Sequence, residues 1–322
     1  MKILILGAAA GGGFPQWNSN DQTARRARAG DPATPSLTQS SIAVSIDGTR
    51  WVLFNASPDL RQQINDNAAL HPGPGDGLRA SPVAAVALTN ADVDHVAGLL
   101  NLRESQPLAI YAHPRVLDVL AHNDIFNVLN PAFVARRPLA LDQWQTVRTQ
   151  AGADLGLALR PFAVAGKAPL WLEDQNAPLA TNLGETLGFE ISDGAQSFFY
   201  VPGCAAITSD LERRLPNTAL VLFDGTLWRD DEMIVGGFGA KTGRRMGHVS
   251  CSGPDGSIAA FSRLGVARKV FIHINNTNPL LIHGSLERSE AEAAGWEIAF
   301  DGMEIALERA DEARDGQAVA PA

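Results

Sequence analysis

Apolar residues along this chain fall in short runs separated by loops rich in glycine, proline and aspartate. The first run, Lys2 to Leu6, reads as a buried strand. It passes into Gly7-Ala8-Ala9-Ala10-Gly11-Gly12-Gly13, a loop that lets backbone approach something closely. Ser41 to Ile46 and Arg50 to Phe54 alternate around Asp47-Gly48, a hairpin signal. Asn55-Ala56-Ser57-Pro58-Asp59 closes that hairpin and opens a helix over Leu60 to Asn65. Val83 to Leu88 predicts a strand with a helix beginning near His95, and Leu108 to Ala112 a strand followed by a helix from Pro114 to about His122. Between Asn123 and about Gln175 short apolar runs alternate with prolines, and the pattern assigns no element. Further on, Phe198 to Val201, Thr218 to Phe223 and Lys269 to Ile274 read as strands, and Ser252 to Leu264 (with Gly265 beyond its end) and Ser285 to Ala294 as helices. Trp296 to Leu307 holds two short strands around Asp301-Gly302. Hairpins first and strand–helix alternation later predict an α/β fold in which helices flank a sandwich of mixed sheets. Residues 1–308 are expected to form one domain, and the polar, alanine-rich 309–322 a disordered tail.

A length of 322 residues with 45% hydrophobic content allows a large core. The formal charge of −9 argues against a nucleic-acid partner, leaving Lys241, Arg244 and Arg245 as the dense basic cluster and a local anion site. The apolar start is too short for a signal peptide, and no run reaches the roughly 18–20 residues of a membrane span, so a membrane role is not expected. Cys204 and Cys251 have no paired spacing, which excludes a disulfide framework or cysteine zinc cluster and fits a reducing cytoplasm. A dinucleotide-binding reading of the glycine loop fails on Ala9 and on Phe14-Pro15, which disfavour the helix that should follow.

Polar residues gather at strand ends, where a rigid scaffold presents catalytic groups. Four places stand out: Asp92-Val93-Asp94-His95, Phe223-Asp224-Gly225-Thr226, Met246-Gly247-His248-Val249-Ser250, and His273 to Pro279. The segment Thr89-Asn90-Ala91-Asp92-Val93-Asp94-His95-Val96-Ala97-Gly98 is similar to the Thr-His-x-His-x-Asp-His-x-x-Gly loop of the metallo-β-lactamase superfamily, with Asn90 and Asp92 at its first two histidine positions. Together with Gly11-Gly12-Gly13-Phe14-Pro15-Gln16-Trp17-Asn18, Asn55 to Asp59, Phe223 to Thr226, Gly247-His248-Val249-Ser250, His273 to Pro279 and Asp301-Gly302-Met303, it makes the chain resemble the PqqB family, metallo-β-lactamase-fold proteins of pyrroloquinoline quinone (PQQ) biosynthesis. The resemblance runs from Met1 to about Glu308.

It implies an αββα sandwich with a metal site at one sheet edge. Asp94 and His95 match the Asp-His pair, Asp224 the bridging aspartate and His273 the last metal histidine, all of the second metal position. His95 and His273 with carboxylates from among Asp92, Asp94 and Asp224 suit one divalent metal, with Fe(II) favoured and Zn(II) also accepted by these donors. The resemblance implies an iron-dependent hydroxylase that uses O2 on a tyrosine-derived, peptide-derived PQQ precursor. In that setting His248 and Asp92 assist as catalytic groups, and Lys241, Arg244, Arg245, Asn275 and Asn276 contact substrate. Many relatives follow Gln-Trp-Asn with a cysteine cluster for structural zinc; here Ser19-Asn20-Asp21 follows, and no N-terminal structural zinc is expected. A homodimer is allowed.

Plainer readings stand beside these. His95 could be a helix-start residue satisfied by backbone, His273 a buried strand histidine, Asp224 an Asx turn and Asp92 an outer partner that orients an imidazole. His248 and the basic trio could belong to a solvated loop. At the level of function, the alternatives are a PQQ carrier that has lost catalysis and a single-zinc hydrolase.

Overall fold

The structure, a computed structural model, describes residues 1–167 and 184–307. The tail expected at 309–322 and the last part of the unassigned stretch lie outside the described residues. Six strands from the first half build one sheet: β1 (Lys2–Gly7), β2 (Ser41–Ser45), β3 (Trp51–Phe54), β4 (Val83–Ala87), β5 (Leu108–Ala112) and β6 (Val134–Pro138). A second sheet contains β7 (Gln145–Arg148), β8 (Asp154–Ala163), β9 (Leu187–Ser192), β10 (Ser197–Val201), β11 (Leu220–Asp224), β12 (Arg268–Ile272) and β13 (Trp296–Ile298). The last strand, β14 (Glu304–Ala306), crosses back to pair with β1. The sheet orders are β14-β1-β2-β3-β4-β5-β6 and β13-β12-β11-β10-β9-β8-β7. Each is half antiparallel and half parallel: β3 to β6 run parallel in one, β10 to β13 in the other.

The near-continuous apolar strands follow from burial on both faces. Along β11, Leu220 and Leu222 enter the core between the sheets, while Val221 and Phe223 enter the layer beneath the outer helices. In β1, Ile3 and Ile5 face the other sheet and Leu4 and Leu6 the helices. Helices Leu60–Asp66 and Pro114–Ala121 cover the first sheet, and Ser257–Phe261 and Leu286–Ala293 the second. Between the sheets Phe54 meets Phe189 and Tyr200 edge-on, at centroid separations of 5.6 and 5.9 Å. This is the αββα architecture that the sequence predicts.

Two expectations change. The helix expected over Ser252 to Leu264 is confined to Ser257–Phe261, because Gly253 takes a positive φ of 86° before Pro254 and turns the chain. The stretch without an assignment contains β6, β7 and β8, which lie at or beside the far edges of the sheets. At Ser19-Asn20-Asp21, Asp21 caps the helix Gln22–Arg28, accepting from the backbone N–H groups of Thr23 and Ala24.

The parallel strands end on one rim. There the glycine loop crosses from the first sheet to the second: Ala10 N donates to Ile274 O at 2.8 Å and Ile274 N to Ala8 O at 2.9 Å.

Candidate metal centre

β4 delivers Thr89 and Asn90 to this rim, and the short helix Val93–Val96 that follows carries Asp94 and His95. The turn that follows it needs Gly98, where a Cβ would lie 2.0 Å from Ser57 O. Instead Gly98 N donates to Ala56 O at 2.9 Å and Ala56 N to His95 O at 2.7 Å, which locks the loop to the Asn55-Ala56-Ser57 segment. From the other sheet β11 supplies Asp224, and β12 runs into His273, whose φ of 62° breaks the strand one residue before its expected end. Such a left-handed conformation is costly for a side chain with a Cβ and is held here by surrounding contacts.

Asp94, His95 and His273 converge, with one ligand atom from each within 4.8 Å of the others. Asp94 Oδ2 lies 3.1 Å from His273 Nε2 and 3.7 Å from His95 Nε2. His95 Nδ1 faces Asn90 Oδ1 at 2.7 Å and Thr89 Oγ1 at 3.2 Å, so its N–H is used by Asn90 and Nε2 is left as the lone-pair nitrogen. That Nε2 is buried and makes no hydrogen bond among the described residues. His273 Nδ1 likewise faces Thr226 Oγ1 at 2.8 Å, leaving Nε2 toward Asp94. Metal-bound imidazoles are oriented in this way, through the nitrogen that does not touch the ion. A buried polar atom left unpaired costs about 1–3 kcal/mol, and a cation between Asp94 and the two Nε2 atoms removes that cost. The donor set therefore fits one divalent metal.

The charges are coupled. Burial would raise the Asp94 carboxyl, but the neighbouring imidazole of His95 and the hydrogen bond from His273 overcome it and hold it below the usual carboxylate range. Burial pushes His95 down, only partly offset by Asp94. Burial also acts downward on His273, yet the hydrogen bond and charge of Asp94, with Asp224 and Asp92 beyond, carry it above the ordinary histidine value.

Asp224 is grouped differently from its expected place. It forms a second cluster with His248 and His273. Its Oδ1 accepts from Thr226 N at 3.0 Å and the Thr226 hydroxyl at 2.7 Å, and Oδ2 from Cys204 N and His248 Nδ1, each at 2.8 Å. Four donors thus surround a fully buried carboxylate. Asp224 is an Asx turn and an anchor for His248 at once, and with His248 and His273 it makes a second group whose atoms could hold a metal ion. His248 stacks on His273 with ring centroids 5.1 Å apart.

A cavity of about 420 Å³ opens over these groups, lined by Asn90, Asp92, Asp94, His95, Lys167, Lys241, Met246, His248, His273 and Asn275 among others. The expected Asp92, His248, Lys241 and Asn275 are brought to it. Arg244 and Asn276 are not: Arg244 turns outward toward Asp255 at 3.7 Å and lines a separate cavity, and Asn276 braces the Phe14–Trp17 loop through Gly13 O and Gln16 N. Arg245 is also absent from the cavity wall, and its backbone N–H caps onto Thr242. Lys241 precedes the cap Thr242, and within the helix Gly243–Met246 it is Met246 that lines the cavity while Arg244 and Arg245 do not.

Four residues escape the sequence reading. Asn90, which looks like a vacated ligand position, is the acceptor that orients His95 and also accepts Asp92 N at 2.9 Å. Asn55, at φ 63°, accepts through Oδ1 from both Thr89 N and the Thr89 hydroxyl, at 2.9 and 3.0 Å, and so sits behind the same imidazole. Thr226 links Asp224 to His273, and Lys167 contacts Asp92 across the cavity at 3.3 Å. An Asn-Ala-Ser-Pro string after a hairpin is a signal for Asn55; nothing local marks Lys167. The glycine loop closes as expected: a Cβ on Gly11 would touch Asp94 at 3.4 Å.

Residues 50–274 match the family described as Beta-lactamase superfamily domain. Two proteins named Coenzyme PQQ synthesis protein B are similar along nearly the whole chain. That of Gluconacetobacter diazotrophicus is 55% identical, covering 95% of this chain and 99% of its own. That of Xanthomonas oryzae pv. oryzae is 53% identical, covering 95% and 100%. Among solved structures, Zn(2+)-bound PqqB from Methylobacterium extorquens is 48% identical, covers 95% of this chain and 100% of its own, and superposes with a TM-score of 0.90. A diphosphatase from the PhnP family shares the fold, with a TM-score of 0.64 at 17% identity over 96% of this chain and 98% of its own.

Proposed function

The chain belongs to the coenzyme PQQ synthesis protein B family within the β-lactamase superfamily, and on that footing we propose that it is a metalloenzyme of PQQ biosynthesis which hydroxylates a tyrosine-derived precursor at a single Fe(II). Asp94, His95 and His273 would hold the ion. The observation that carries this is His95 Nε2, buried with no hydrogen bond among the described residues and lying within ligand reach of Asp94 and His273. Two imidazoles and one carboxylate leave positions open for oxygen and substrate, whereas hydrolysis with two ions needs ligands that Asn90 and Asp92 no longer provide. When bound, the ion would supply activation of O2.

The protein's own groups set the rest. Asn90 and Thr226 fix the two imidazoles in one tautomer and direction. Asp224 holds His248 by its Nδ1, so its Nε2 is available to accept a proton from a substrate hydroxyl. Lys241 and Asn275 on the cavity wall orient the substrate, and the glycine loop keeps the centre narrow. The two free, buried cysteines fit action in a reducing cytoplasm.

A single-zinc hydrolase is the second reading, favoured by the zinc in the Methylobacterium extorquens relative. Protein purified without oxygen and loaded with Fe(II) decides between them. We expect one ion per chain, its loss in His95→Ala and His273→Ala, and O2 consumption coupled to precursor. Failure of Fe(II) to bind, or bound Fe(II) without O2 uptake, overturns the iron reading; ester or lactam hydrolysis by the zinc form would establish the second.

A further inference from the structure

We propose that a second cavity, with Arg288 and Asp301 on its wall, is a binding site for a small zwitterion of the amino-acid class that carries an apolar side chain. Among the described residues, none lines both this cavity and the one over the metal centre.

The cavity, of about 410 Å³, forms where a loop, a turn and a strand corner meet. Pro35 to Leu37 gives one side, the turn Pro279–Leu281 with the helix Leu286–Ala293 another, and the corner between β13 and β14 the last. Leu37, Leu280, Leu281, Ile298 and Phe300 make the wall largely apolar, with a few polar groups set into it. That is the ordinary make-up of a small-molecule site.

Two of those polar groups are opposite charges. Ser285 caps the helix by accepting Arg288 N at 3.1 Å, which places the arginine in its first turn. The Arg288 side chain is 19% exposed, with Nε donating to Glu292 at 2.9 Å and Nη1 to Leu280 O at 3.1 Å. Its Nη2 makes no hydrogen bond among the described residues. Asp301, placed by the sequence in a turn before Gly302, uses its carboxylate within the fold: Oδ1 accepts Ala8 N at 3.0 Å and Oδ2 accepts Thr38 N at 2.7 Å, with the Thr38 hydroxyl also bonded to it. A carboxylate offers about four lone-pair sites, so acceptor capacity remains.

Arg288 pairs with Glu292 and not with Asp301, although both line this cavity. Opposite charges in a poorly polarisable wall attract strongly and tend to close on each other. Held apart, they match a ligand that carries both signs. An anion alone would be repelled by Asp301, and a cation alone would leave Arg288 Nη2 unanswered. A zwitterion satisfies both, its ammonium on Asp301 and its carboxylate on Arg288, while its side chain covers the leucines. The other charged neighbours do not alter this balance. Glu292 is half exposed and already bound to Arg288, and His283 on the same wall is pushed below its ordinary value by burial and by Arg288. Burial, with Asp59 beyond, lifts the Asp301 carboxyl to about 6, the mark of an anion short of partners; an ammonium would supply one.

Calorimetric titration of the full-length, metal-loaded protein tests this, with L-phenylalanine as the probe. Phenylpropionate lacks its ammonium and phenylethylamine its carboxylate. L-Phenylalanine should bind about tenfold or more tighter than either analogue, since each forgoes a charge-assisted hydrogen bond. Arg288→Gln should weaken L-phenylalanine by about the same factor and leave phenylethylamine unchanged. Asp301→Asn should weaken L-phenylalanine and leave phenylpropionate equal or tighter, a crossed pattern that no folding defect imitates. His95→Ala, altered at the metal centre, should bind L-phenylalanine as the wild type does. Absence of saturable binding, phenylpropionate binding as tightly as L-phenylalanine, or affinity lost in His95→Ala but kept in Arg288→Gln overturns the proposal.

Discussion

Replacing Asn55 tests how the centre is held, because Asn55 touches no proposed ligand and reaches His95 through Thr89, its Nδ2 lying 3.5 Å from the Tyr200 hydroxyl. Its Oδ1 accepts both the backbone N–H and the hydroxyl of Thr89, and all these groups are buried. Removing the side chain strands the Thr89 N–H, a loss of about 1–3 kcal/mol. Asn55 also sits at φ 63°, where alanine adds about 1–2 kcal/mol of backbone strain that glycine avoids. Asn55→Gly should therefore destabilise metal-free protein by about 1–3 kcal/mol, and Asn55→Ala by about 1–2 kcal/mol more. Urea unfolding followed by circular dichroism reads both. In parallel, Thr89 loses its anchor behind His95 while Asn90 still holds the imidazole, and metal affinity should fall by up to roughly tenfold in both variants. Wild-type stability and wild-type metal affinity in Asn55→Gly would refute the account of this network.

Three other outcomes follow from the same geometry. His273 is raised above its ordinary value by Asp94 and must be neutral to take a metal, so metal affinity should climb with pH through the region above about 6.5, with proton release visible in calorimetry in buffers of different ionisation enthalpy; a flat profile counts against the assigned triad. Asp301, which accepts Ala8 N and Thr38 N, is lifted by burial to about 6. Its raised folded value means stability is fully present below about 4 and lost as pH rises through about 6, by up to about 3 kcal/mol, and Asp301→Asn should flatten that part of the curve measured by chemical unfolding. Gly98→Ala would press a Cβ against Ser57 O, and thermal unfolding should show a loss of about 1–3 kcal/mol or more together with weakened metal binding; a neutral result would mean the loop is looser than described.

The strand runs were legible because strands buried on both faces leave long apolar stretches that no helix of that length needs. At the sheet edges that signal thins: β6, with Arg136 and Arg137, and β7, Gln145–Arg148, keep few apolar residues, so the pattern falls silent where one face meets water. Asp94, His95 and His273 could be picked from residue type and motif. Their partners could not, because Asn90 and Thr226 act through acceptor geometry that only the folded rim defines. Arg244 parts from Lys241 for the opposite reason: they are close in sequence, but Lys241 lies ahead of the cap Thr242 and Arg244 inside the helix turns toward Asp255. Lys167 lies 75 residues from Asp92, and no spacing rule joins them.

Asp94 and His273 stand 179 positions apart and arrive from different sheets. An ion gripped by both would close a loop longer than half the chain, and it would bind only after the entropy of that closure had already been met by the docking of the two sheets. During synthesis the first half emerges with Asp94 and His95 alone, a weak pair for any metal. An ion thus finds no firm seat on a growing or partly opened chain, and metal loading waits for the two sheets to dock.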